Sequence, residues 1–134
     1  MKNKLTCLLF LLIGLGTFGS MKAQSLYFCE KVDANGNPEG ESKTFNISSK
    51  GGYFYFLVKL GSPVGCETVK YKIYSVNSYG NENYNAIIEQ NGLKTNWTYF
   101  WKKVTFYEAG NYNVYLYDCN SNIITSASLQ IKIK

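Results

Sequence analysis

The residues best equipped to meet a ligand are Trp97, Tyr99 and Trp101, at alternate positions of NWTYFWKKVTFY, residues 96–107. Alternate residues of an extended chain share one face, so the three rings are expected to form a row, with Lys103 next along it. Phe100, Val104 and Phe106 take the opposite face. The two faces cannot both meet one core. If the phenylalanines and valine turn inward, the row lies outside, where such rings stack on sugars or seed protein contacts. The competing expectation is that Trp97 and Trp101 cover a sheet edge or fill a second small cluster, because aromatics bury readily.

A second candidate is the oxygen ladder Asp33, Asn35, Asn37, Glu39 and Glu41. Calcium loops begin this way. However, Pro38 stands where an EF-hand loop needs glycine, and Thr44 where it needs a bidentate glutamate. Asn35-Gly36 is a favoured hairpin turn pair, so a turn is expected there and no metal. The sequence holds no histidine, the commonest general base and metal ligand. It has no G-x-S-x-G and no P-loop, and its nine acids are scattered without visible pairing. No catalytic residue and no cofactor can be singled out, and an enzyme is the least expected class.

All 14 basic residues are lysines. Arginine is the usual reader of guanine edges and the bidentate clamp for phosphate, so its absence argues against nucleic-acid binding. Lys2 and Lys4, the apolar run Thr6–Phe18 and the small residues around Ala23 form the pattern of a secretory signal peptide, residues 1–23. The run is too short for a comfortable membrane span, and Cys7, at its start, is badly placed for a lipid anchor. Cleavage after Ala23 removes three lysines and no acid, so the formal charge falls from +5 to +2, 11 lysines against nine acids. Residues 24–134 then make one exported domain, destined for the periplasm, the cell surface or the exterior, with no membrane span of its own. Asn46-Ile47-Ser48 and Asn96-Trp97-Thr98 match the glycosylation sequon; in a sequence of bacterial character both read as chance matches.

The elements that must position these residues are strands. Period-2 alternation of β-branched and aromatic residues dominates, cut by Gly, Asn and Ser clusters. Strands are expected at 26–32, 44–48, 53–60, 69–76, 84–90, 96–107, 112–118 and 123–134. Phe54, Phe56, Phe106 and Tyr112 are core candidates, and Tyr115 and Tyr117 point outward. Seven or eight short strands predict an all-β, antiparallel sandwich, with a small closed barrel as the competitor.

Glu108-x-Gly110-x-Tyr112-x-Val114 resembles the corner entering strand F of immunoglobulin-like domains, with Val114 in place of the usual cysteine. Similar stretches recur in bacterial immunoglobulin-like and polycystic-kidney-disease (PKD) type domains. The resemblance is clearest over residues 105–118. It implies that Gly110 lets the chain cross between sheets and that Tyr112 returns its hydroxyl to nearby backbone, a tyrosine corner. A plain hairpin with a Gly-Asn turn is the alternative. If 53–60, 69–76 and 112–118 are strands B, C and F, the loops holding Cys66 and Cys119 emerge at one end. The resemblance then implies a Cys66–Cys119 disulfide worth about 3–4 kcal/mol. That would leave Cys29 as a small buried hydrophobe. Pairing of Cys29 with Cys66 or Cys119, or no bridge, stays open; a three-cysteine metal site lacks close spacing.

These readings converge on an exported, non-catalytic binding or adhesion module meeting a protein or glycan partner. Its site is expected on the aromatic row, or on the loop end carrying Cys66, Cys119 and Tyr79. A carbohydrate-binding sandwich and a self-associating envelope or matrix component, joined through exposed aromatics and an unpaired edge strand, are the alternatives.

Overall fold

The computed structural model describes residues 24–134; the expected signal peptide, its cleavage point and Cys7 lie outside the described residues. Ten strands run in order: β1 (Ser25–Cys29), β2 (Lys31–Val32), β3 (Pro38–Glu39), β4 (Thr44–Ile47), β5 (Gly52–Lys59), β6 (Val69–Val76), β7 (Glu82–Gln90), β8 (Tyr99–Phe106), β9 (Gly110–Tyr117) and β10 (Ile123–Ile133). They form a three-stranded sheet, β1-β5-β8, a five-stranded sheet, β4-β10-β9-β6-β7, and a two-stranded ribbon, β2-β3. The architecture is the all-β sandwich expected from the alternation, and the sheets do not join into a barrel.

The alternation explains which face meets which. Leu26 and Phe28 of β1, Phe54, Phe56 and Val58 of β5, and Phe100, Val104 and Phe106 of β8 are buried on the small sheet's inner face. Val69, Tyr71 and Ile73 of β6, Tyr112, Val114 and Leu116 of β9, and Leu129 and Ile131 of β10 oppose them. Aromatic packing fills the middle: Phe54 stacks on Phe45 at 4.2 Å and on Phe106 at 5.2 Å between ring centroids, and Phe106 meets Tyr112 edge-on at 5.1 Å. Each such ring removes on the order of 150–250 Å² from water.

Three boundaries and one strand pairing differ from the antiparallel strands expected. The strand expected at 26–32 stops at Cys29, because Glu30 N–H bonds to Glu39 O at 2.9 Å and turns the chain into the β2–β3 hairpin. The strand expected at 96–107 begins only at Tyr99, because Trp97 N–H closes a turn on Lys94 O at 3.0 Å. β7 starts at Glu82 and carries a bulge, so that Tyr84 pairs with Tyr74 and Ala86 with Ile73, leaving Asn85 extra. β4 is the expected edge strand, but it pairs parallel to β10, Phe45 opposite Ile131, whereas the other strand pairs are antiparallel.

The chain crosses between sheets at residues 107–109. Gly110 has φ +152°, outside the range that side-chain-bearing residues favour. The Tyr112 hydroxyl donates to Glu108 O at 2.9 Å. This is the corner the sequence motif implied, and a plain hairpin is ruled out by the change of sheet.

Candidate binding site at the open edge of the sandwich

β7 and β8 are the outer strands of their sheets on the same side of the molecule. Gln90, the last residue of β7, spans the gap. Its Oε1 accepts from the Tyr71 hydroxyl at 2.7 Å, and its Nε2 donates to Trp101 O at 2.8 Å. The buried amide is therefore satisfied at both ends, as burial of a polar group requires. Burial also pushes the Tyr71 phenol well above its ordinary ionisation range.

Beside this tie lies an open groove of about 700 Å³, lined by Gln90, Asn91, Lys94, Asn96, Trp97 and Trp101 among others. Trp97, Tyr99 and Trp101 are 38%, 39% and 36% exposed, so a large part of each side chain remains covered. Tyr99 and Trp101 lie nearly parallel, centroids 6.2 Å apart. Trp97 belongs to the loop before β8, not to the strand, and lines the groove. Thr68 Oγ1 bonds to Asn91 Oδ1 at 2.9 Å and fixes one amide on the rim.

The loop carrying Trp97 is lashed down. Leu60 N–H bonds to Thr98 O at 2.8 Å, Val64 N–H to Trp97 O at 2.8 Å, Gly65 N–H to Thr95 O at 2.9 Å and Leu93 N–H to Glu67 O at 3.0 Å. The strap that makes these bonds, residues 60–67, contains Cys66. Cys66 and Cys119 form a disulfide with Cα atoms 5.8 Å apart. Of the pairings open from the sequence, this is the one present. Cys29 is a free, buried thiol, pushed up in pKa by burial and then by Glu41.

Tyr79 does not belong to this end. β6 runs from Val69 beside the disulfide to Val76 beside Asn111, so the loop after it emerges at the corner pole. Tyr79 is 87% exposed there, with no part in the groove. The expectation of one loop end holding Cys66, Cys119 and Tyr79 is corrected accordingly.

The outer face of the small sheet carries a second cluster. Leu57 and Cys29 are fully buried yet stand apart from the inter-sheet core. Leu57 sits between Tyr27 and Trp101, and Tyr55 between Cys29 and Lys103. The β2–β3 hairpin lies against this face, β2 on β5 and β3 on β1. Gly36 at its tip touches Tyr99: a Cβ there would fall 2.5 Å from the ring. Tyr99 and Trp101 are thus both part of the exposed row and part of a small cluster, which merges the two expectations.

Asp33 serves the hairpin, not a metal. Its Oδ1 accepts from Asn35 N–H at 2.9 Å and Asn37 N–H at 2.8 Å, and its Oδ2 from Asn37 Nδ2 at 3.2 Å. These bonds, the Asn37 backbone first, hold its carboxyl below the usual range. The same wiring recurs twice. Asn77 Oδ1 accepts from the N–H groups of Tyr79 and Asn81, and Asp118 Oδ1 from those of Asn120 and Asn122, all at 2.8–2.9 Å. The fourth residue has positive φ each time: Gly36 +81°, Gly80 +84°, Ser121 +65°. The signature is Asp/Asn-x-x-Gly/Ser-Asn, present in DANGN, NSYGN and DCNSN. Among the described residues no three His, Cys, Asp or Glu side chains gather as metal ligands.

Sequence reasoning turned Tyr115 and Tyr117 outward but missed the tyrosine face that they form with Tyr74 and Tyr84 on the outside of the large sheet. Tyr74 meets Tyr84 and Tyr115 edge-on at 6.2 and 5.5 Å, and the Lys72 ammonium stands 4.4 Å from the Tyr117 ring. Glu82 accepts from the Tyr115 hydroxyl at 2.5 Å and Asn113 Nδ2 at 2.7 Å, which lowers its pKa and raises that of Tyr115.

No family model and no curated protein matches the sequence. Among solved structures, the chain is similar to the PmoD soluble domain from Methylocystis, at 10% identity and TM-score 0.47, covering 81% of this chain and 90% of that one. It is similar to a superoxide reductase (neelaredoxin) from Ignicoccus hospitalis at 10% identity and TM-score 0.39, covering 81% and 83%. A CARDB domain from Pyrococcus furiosus gives 12% identity and TM-score 0.37 over 86% and 99%. No activity carries over from likenesses this distant.

Proposed function

We propose that this chain is an exported, non-catalytic binding domain of immunoglobulin-like architecture, and that the groove between β7 and β8 takes a stretch of glycan. The observation that carries the glycan reading is the groove's lining: the part-exposed indoles of Trp97 and Trp101 together with the side-chain amides of Asn91 and Asn96, and Lys94 as its one charge. Pyranose rings present apolar faces for stacking and hydroxyls for amides, and a site of few placed polar groups on an apolar floor suits them. The immunoglobulin-like reading is supported by strand order. β1, β5 and β8 fall where strands A, B and E belong, β6, β9 and β10 where C, F and G belong, and the tyrosine corner enters β9. Export is supported by the Cys66–Cys119 disulfide and the N-terminal sequence pattern. A non-catalytic role is supported by the duties of the carboxylates: Asp33 and Asp118 cap turns, and Glu82 holds Tyr115 and Asn113.

The test is tryptophan fluorescence titrated with a panel of neutral polysaccharides, backed by affinity electrophoresis. A saturable change, lost in Trp101→Ala with the circular dichroism intact, is the expected result. Silence across the panel in both assays refutes the glycan reading.

A second reading, self-association, is favoured by one observation: Tyr84 and Ile87 are exposed on the unpaired edge strand β7, and Tyr74, Tyr115 and Tyr117 continue that face across β6 and β9. A single monomeric species in light scattering at high concentration argues against it.

A further inference from the structure

We infer that the β2–β3 hairpin is a hinged cover whose tip competes with ligand for the Tyr99 ring, so that binding at the aromatic row and opening of the hairpin are coupled. The coupling rests on the glycan reading; the hinged cover itself does not.

Three observations lead here. First, the hairpin is slight. Its strands hold two residues each, and it has a ladder of only Lys31 against Glu39 and Val32 against Pro38. It leaves the sheet at Glu30 and returns at Ser42, whose N–H bonds to Phe28 O at 3.0 Å. Gly40, at φ +68°, sits in the returning limb. Few buried contacts and short ladders mark the segments that open at low free energy.

Second, what it covers is apolar and otherwise exposed. Leu57 and Cys29 belong to the outer face of the three-stranded sheet, away from the inter-sheet core, yet both are fully buried. Val32 and Pro38, a cross-strand pair on one side of the ribbon, are half-buried. The cover therefore keeps Leu57 and Cys29 out of water, with Tyr27 and Trp101 as the part-exposed neighbours of Leu57.

Third, the tip occupies part of the candidate site. Gly36 lies so close to Tyr99 that a single added carbon would sit 2.5 Å from two ring atoms. A sugar or other flat ring stacking on that part of Tyr99 must displace residues 33–37. Turn rigidity makes this a whole-loop movement, since Asp33 ties Asn35 and Asn37 together.

Cys29 reports the movement, being the free cysteine among the described residues and lying under the cover. Residues 24–134, which hold the whole described fold, are labelled with a maleimide in the absence of denaturant, and the rate is followed across low denaturant concentrations. The expected result is a rate at least tenfold faster than global unfolding allows and nearly flat in denaturant. Gly36→Ala, which forces the tip off Tyr99, is expected to raise it a further tenfold or more with the global unfolding midpoint held by the core. If Gly36→Ala does not fold, amide exchange of Asn35, Gly36 and Asn37 in the parent chain replaces it. Exchange of these amides faster than that of Phe56 and Val114 supports the hinge. Labelling that tracks global unfolding, or exchange no faster than the core, overturns it. A polysaccharide that shifts tryptophan fluorescence is expected to accelerate labelling. Fluorescence change without faster labelling sinks the coupling and leaves the glycan reading standing. Fast labelling with no polysaccharide binding leaves the hinge and removes the glycan reading.

Discussion

The hydroxyl of Tyr71 donates a 2.7 Å hydrogen bond to Oε1 of Gln90, joining the middle of the core to the open edge of the sandwich. Through the other end of the same amide, the contact reaches the backbone of Trp101. The position of the aromatic row relative to β7 is thereby set from inside the molecule.

Replacing Gln90 with alanine strands a buried phenol without its acceptor and frees the Trp101 carbonyl. An unsatisfied buried donor costs about 1–3 kcal/mol, and a loss of about 2–3 kcal/mol in denaturant unfolding is expected. Tyr71→Phe is expected to cost less, about 1–2 kcal/mol, and the double variant less than the sum of the two. Strict additivity in that cycle would show that the two groups do not act as a pair.

Tyr112→Phe removes the corner bond to Glu108 O while keeping the ring packed on Phe106. The expected loss is about 1 kcal/mol. A Cβ at Gly110 meets the Tyr112 side chain at 3.7 Å, an ordinary van der Waals contact, so the cost of Gly110→Ala is conformational and is expected to exceed about 1 kcal/mol. Thermal unfolding of the two variants separates bond from backbone.

Ser121 holds the left-handed position that glycine holds in the two sister turns. That conformation costs a side-chain-bearing residue about 1–2 kcal/mol. Glycine's freedom in the unfolded chain returns about 0.4–1 kcal/mol of that. Ser121→Gly is therefore expected to stabilise by about 0.5–1 kcal/mol, read as a raised midpoint in urea. A lowered midpoint would show that Ser121 does something the turn wiring does not reveal.

Reducing the Cys66–Cys119 bridge, or replacing both residues with alanine, is expected to cost about 3–4 kcal/mol. Its second effect is local. The strap 60–67 loses an anchor, and the four backbone bonds to residues 93–98 loosen with it. Faster amide exchange at Val64, Gly65 and Leu93 than at β9 residues would register this.

Burial raises the pKa of Tyr71, so the folded state favours the neutral phenol more than the unfolded state does. The sign follows: this contribution is complete below the ordinary tyrosine value near 10 and is lost as pH rises above it. Stability is expected to fall steeply in alkali, with phenolate absorbance from Tyr71 appearing only on unfolding. Tyr71→Phe should flatten that fall.

The inner faces were legible because each β-strand buries one side, and alternation in β5, β6, β8 and β9 names that side directly. The disulfide and the corner were implied by the resemblance of residues 105–118 to immunoglobulin-like domains, and both are present. What escaped depended on register or on competition. Trp97 continues the alternation of β8 on paper, but the strap 60–67 offers its backbone a better partner. Tyr84 has the parity of the inward Ala86 and Ile88, and only the extra residue Asn85 swings it outward. Tyr79 was misplaced because the direction of β6 reverses its pole. The repeated turn wiring was present in the letters of DANGN, NSYGN and DCNSN, though its meaning lies in side-chain oxygens reaching backbone two and four residues on.

The parallel pairing of β4 with β10 has a kinetic consequence. Phe45 is laid into the core early in the chain, but its ladder partner, the segment around Ile131, is made near the far end. Until that late segment threads between β4 and β9, Thr44–Ile47 is an open template with an aromatic ring unclosed beneath it. Closing this seam is therefore a slow, long-range step. A chain lacking only the seam that β10 closes would expose the β4 edge and the Phe45 ring beneath it.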